Sequence, residues 1–156
     1  MRQRMAVLGI IAVCFAVGIA LAADVTLGTW KVNLAKSKYS PGPAPKSQTV
    51  KYEAAGDSVK ITVDGTDGEG KPIHNETTAK FDGKDYPVKG DPNADSRSYK
   101  KINDYTLEVA TKKAGKVTTT NRTVYARDGK SRTSTITGMD TKGQKVNNTV
   151  FYDRVP

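Results

Sequence analysis

Beyond residue 23 the chain nowhere sustains apolar residues at helical spacing, and Gly, Asp or Asn interrupts it about every 12 to 14 residues. Gly56-Asp57, Asp82-Gly83, Asn103-Asp104, Asp128-Gly129 and Lys142-Gly143 read as tight turns, which need backbone angles that glycine and asparagine reach at little steric cost. Between the turns the residues alternate. Val59, Ile61 and Val63 are separated by Lys60 and Thr62, and Tyr105, Leu107 and Val109 by Thr106 and Glu108. Period two sends successive side chains to opposite faces of a sheet, one buried and one wet. Thr and Val dominate these runs, and both are β-branched residues that favour strands. Strands are therefore predicted at 26–33, 47–55, 58–65, 72–82, 85–89, 96–102, 105–112, 116–126, 131–138 and 145–154. Short links join them, which predicts antiparallel neighbours throughout.

A meander of this length has two exposed edges unless it closes, and closure into a barrel removes both. The expected fold class is thus all-β, an antiparallel up-and-down barrel, with a two-sheet β-sandwich as the alternative. A membrane-spanning barrel is not expected, because the face opposite Val59, Ile61 and Val63 carries Lys60 and Asp64 rather than an apolar band. Pro41, Pro43 and Pro45 remove three backbone donors within Lys36 to Lys46, which predicts a Pro-rich loop at 36–46 crossing one end of the sheet.

The first 22 residues differ from the rest. Arg2 and Arg4 precede an uncharged apolar run from Met5 to Leu21, and Ala20-Leu21-Ala22 places small residues where a signal peptidase needs them. Residues 1–22 are read as a signal peptide cut near Ala22, and 23–156 as a single domain in the periplasm or outside the cell. A retained anchor is the competing reading, since the apolar run is long enough to cross a bilayer. Cleavage removes Cys14, the only cysteine, and a thiol-free chain suits an oxidising exterior. One Cys and one His exclude a disulfide framework and a Cys/His metal centre, and no cofactor is expected. The formal net charge of +9 is spread over the chain with no basic run longer than a pair. That pattern points away from nucleic acid and toward, at most, a weak attraction to an anionic envelope surface, for a chain expected to be monomeric.

The segment Leu27-Gly28-Thr29-Trp30-Lys31-Val32-Asn33 places a G-x-W on the first strand. It resembles the opening of the calycin group, the lipocalins and fatty-acid-binding proteins. The stretch from Gly28 to Ser47 is similar to uncharacterised exported bacterial lipocalin-like domain proteins, a likeness that brings no activity with it. The resemblance implies structural roles at one barrel end: Trp30 closes it, Gly28 lets the backbone bend beneath, and an arginine of the last strand, Arg154, stacks on the indole by a cation–π contact. Two departures stand out. Residues 34–46 are too short and proline-rich for the two-helix lid of the fatty-acid-binding branch. The Arg-x-Tyr with which that branch holds a fatty carboxylate reads Val150-Phe151-Tyr152 here, so the tyrosine matches and the arginine does not.

His74, with Glu76 two residues on, is the sole candidate for a general base, and no nucleophile motif accompanies it. No catalytic residue is assigned. Three function classes remain. One is a non-catalytic binder of a small amphiphilic or hydrophobic molecule, its barrel lined by Tyr52, Tyr105, Tyr125 and Tyr152. The second is a structural or interaction module of the cell envelope with a side-chain-filled barrel. The third is a hydrolase or isomerase built on His74. The enclosed volume decides between the first two.

Overall fold

The computed structural model describes residues 24–156, so the signal peptide read at 1–22 lies outside the described residues. Ten antiparallel strands follow one another: β1 (Gly28–Lys38), β2 (Ser47–Ala55), β3 (Ser58–Thr66), β4 (Pro72–Ala79), β5 (Asp82–Pro87), β6 (Ser96–Asn103), β7 (Thr106–Lys113), β8 (Lys116–Tyr125), β9 (Ser131–Met139) and β10 (Lys145–Val155). Alternation along each strand selects the buried face. Trp30 and Val32, Val50 and Tyr52, Asn75, Thr77 and Ala79, Leu107 and Val109, Thr123 and Tyr125, Arg132 and Ser134, and Val150 and Tyr152 are all buried, each two residues from the next on its strand.

The first strand pairs with the last. Trp30 lies opposite Arg154 on one side and Val50 on the other. The sheet runs β4-β3-β2-β1-β10-β9-β8-β7-β6-β5, an all-β barrel that is closed except at one seam. That seam corrects one expectation. β4 and β5 are neighbours in the chain but form no ladder, and a single bridge joins this side, Glu76 with Lys89, by two backbone hydrogen bonds of 2.9 Å. The reason lies at Phe81, which turns inward and stacks on Tyr99 of β6 at 6.0 Å between centroids. Its carbonyl accepts from Lys101 N, so the link is drawn toward β6 and away from β4.

A second correction concerns the first strand. It runs on to Lys38, so the Pro-rich loop begins at Tyr39 and not at residue 36. The register against β10 shifts between Asn33 and Lys38, and side chains meet the freed backbone groups: Ser37 Oγ accepts from Phe151 N, and Asn33 Oδ1 accepts from Lys36 N. A bulge of this kind bends a strand without leaving its polar groups orphaned.

Candidate functional site

The two barrel ends differ. At one end Trp30 is fully buried. Its Nε1 donates to Thr26 O at 3.0 Å, and the Tyr125 ring meets it edge-on at 5.3 Å. The Arg154 guanidinium carbon stands 4.4 Å from the indole centroid. Arg154 also donates to the carbonyls of Val25 and Leu27, each at 2.7 Å, and to Gly129 O at 2.5 Å. It thereby ties the entering chain and the β8–β9 turn across this end. Gly28 has φ of +122°, and a Cβ there would stand 2.4 Å from Arg154 Nη1. Glycine supplies both the backbone angle and the room for the arginine.

Above this layer the barrel is hollow. A cavity of about 630 Å³ opens toward the other end, where Pro43 lies against Gly68 and the 90–93 loop meets the β9–β10 turn through a Thr141-to-Asn93 hydrogen bond of 2.9 Å. The volume falls within the range of ordinary small-molecule pockets, about 300–1,000 Å³. Its wall is mixed. Val50, Ile61, Val63, Val109, Ile136 and Val150 give apolar surface, while Gln48, Asn75, Asn121 and Asn148 give amides. The small inward residues of a Thr- and Ser-rich chain leave space that larger ones would fill.

Of the four tyrosines named from the sequence, Tyr52 and Tyr152 line the cavity. Tyr125 does not; its ring meets Trp30 edge-on and its hydroxyl accepts from Arg132. Tyr105 does not either; it precedes β7, and its N–H donates to Asn103 Oδ1 at 2.9 Å in the turn. Its ring lies under the Arg127 guanidinium, 5.2 Å from the centroid.

Sequence reasoning missed Arg132 of β9. It is 3% exposed, and its guanidinium carbon stands 4.3 Å from the Tyr152 centroid, 5.3 Å from both Trp30 and Tyr52, and 5.7 Å from Tyr125. Nη1 donates to the hydroxyls of Tyr52 and Tyr125 at 3.2 Å each, and Nε has no partner among the described residues. Burial works against its charge, but the surrounding phenol oxygens outweigh burial and hold its pKa above the ordinary arginine value. Burial likewise pushes the Tyr125 and Tyr152 phenols well up, so both stay neutral beside it. Tyr152 donates its hydroxyl proton to Gln48 Oε1 at 2.9 Å. The parity of Arg132 with Ile136, and its position opposite Tyr125 and Tyr152, were the available signals.

His74 has a different partner from the one its sequence neighbourhood offers. Nδ1 lies 2.6 Å from Asp64 Oδ1 across the β3–β4 ladder, while Glu76 pairs with Lys60 at 2.8 Å. The Asp64 hydrogen bond raises the His74 pKa above its ordinary value. A raised histidine adds stability below its unfolded pKa and loses it as pH rises through the folded one. An NMR titration of the imidazole is expected to show a midpoint above 6.5 that Asp64→Asn brings down; an unchanged midpoint in the variant would assign the shift elsewhere.

Among solved structures the chain is similar to a redesigned β-barrel, mFAP1, bound to DFHBI, at 15% identity and a TM-score of 0.45, with 83% of this chain and 95% of that chain covered. No protein-family model and no curated protein matches the sequence.

Proposed function

We propose that the protein is a non-catalytic binder of a small, partly apolar molecule held inside its barrel. The observation that carries this reading is the cavity of about 630 Å³ with a mixed apolar and amide wall, open at one end and floored by buried aromatic side chains. A structural module needs no such hollow. The lipocalin-like opening at Gly28 and Trp30 fits the same reading, as does a periplasmic or secreted location given by the basic, apolar and small-residue order of residues 1–22. A non-catalytic role accords with the setting of His74, which borders the cavity but faces solvent, its side chain and that of its partner Asp64 being 62% and 58% exposed.

The test is a titration of delipidated protein with phenylnaphthylamine, an uncharged fluorophore that brightens in apolar surroundings, followed by displacement with lipids, sterols and aromatic metabolites. Saturable binding at one probe per chain is expected, with Val109→Trp weakening it by narrowing the wall. Absence of any saturable site would leave the envelope module as the better reading.

A further inference from the structure

Among the described residues four basic side chains line the cavity: Lys71, His74, Arg97 and Arg132. Three of them have a carboxylate partner. Lys71 pairs with Glu69 at 2.7 Å, His74 with Asp64 at 2.6 Å and Arg97 with Asp91 at 2.5 Å. Arg132 is the most deeply buried of the four, and among the described residues it has none. Its neighbours are three phenols and an indole, none of them a carboxylate. Aromatic faces and two phenol oxygens attract a guanidinium, but they leave its full charge uncancelled and its Nε–H unmet. A charge in an interior is costly unless it is both paired and hydrogen-bonded, and here the pairing is absent.

The position explains what could supply it. Arg132 lines the cavity together with Tyr52 and Tyr152, and Val50, Ile61, Val109 and Val150 supply apolar wall in the same cavity. The planar N–H fork of arginine suits the two coplanar oxygens of an acid group. We propose that the ligand is an anionic amphiphile, taken acid end first, with its carboxylate, sulfonate or phosphate on Arg132 and its apolar body against the valine and isoleucine wall. This rests on the reading of the cavity as a binding site and narrows it to one charge and one orientation. The arginine stands on β9, across the ladder from Tyr152, and not at position 150.

The experiment uses two matched probes on the delipidated protein: anilinonaphthalene sulfonate, an anion, and phenylnaphthylamine, the same ring system without the charge. The protein is expected to bind both, and Arg132→Gln to weaken the sulfonate by about tenfold or more while moving the uncharged probe less than about threefold. Equal sulfonate affinity in both proteins, with the uncharged probe retained, overturns the anion site and leaves the cavity reading in place. No saturable binding of either probe to the unaltered protein removes the cavity reading and this inference with it. A second measurement needs no variant and covers a failure of Arg132→Gln to fold. Decanoate and decanol each displace the uncharged probe at pH 8. A cavity without an available cation favours the alcohol, because stripping water from a carboxylate is costly. Decanoate is expected to displace first, by about tenfold; decanol acting at equal or lower concentration overturns the proposal.

Discussion

Trp30→Ala is expected to lower the stability of the fold by about 3–5 kcal/mol, the usual cost of emptying a large aromatic site in a core. Three losses add at this position. The indole is fully buried, so its whole apolar surface is withdrawn from the interior. The Tyr125 edge and the Arg154 guanidinium lose the ring they pack on. The Thr26 carbonyl loses its donor, and Thr26 is itself buried. For a domain of this size about 1 kcal/mol moves the melting point by roughly 3–4 °C, so a fall of about 10–20 °C is expected. Circular dichroism reads it without the tryptophan signal. A shift of only one or two degrees would mean that this end of the barrel does not depend on Trp30.

Gly138→Ala is expected to cost about 2–4 kcal/mol, although it adds one methyl group. Gly138 has φ of +142°, a conformation that L side chains rarely adopt. A Cβ there would stand 2.1 Å from Thr118 O and 2.8 Å from Thr119 Cα, both backbone atoms of β8. A side chain could rotate away from such a contact; a strand held in its ladder cannot. β8 and β9 pair at Thr119 and Gly138, so the variant forces them apart there. Urea denaturation should show the loss, against a Gly42→Ala control where a new Cβ meets nothing within 4 Å and stability should hold to within about 0.5 kcal/mol. Equal midpoints for the two variants would contradict the close approach of β8 and β9.

The strands were legible because two independent signals coincide along most of the chain. Alternation marks the run, and Gly, Asp or Asn marks its end. Where one signal fails the reading fails. The sequence suggests a strand through 72–82 and a turn at Asp82-Gly83, yet β4 ends at Ala79, β5 starts at Asp82, and the inward Phe81 between them redirects the chain, which no local pattern encodes. Tyr105 shares the parity of Leu107 and Val109, but the Asn103 turn sets its backbone before the strand begins. Arg132 was obscured for a chemical reason. It sits among Ser131, Thr133, Ser134 and Thr135, which suit either face, so the charge alone suggests an outward direction. Four aromatic rings drawn from β1, β2, β8 and β10 make its inward direction tolerable, and that cluster exists only once the barrel has closed.

The pairing of β1 with β10 has a consequence in time. Trp30 meets Arg154, and Asn33 meets Phe151, across nearly the whole length of the described chain. The contacts that seal the barrel are therefore among the most distant in sequence, and the entropy of joining such remote segments must be met before any of them forms. Until the final strand is present, β1 has one unfilled edge and the Trp30 end has no arginine to tie it. A nascent chain can pair β1 to β4, and separately β5 to β9, as they emerge, but no ladder joins the two groups until β10 is present. The barrel interior is thus expected to close late, when the two ends of the domain pair.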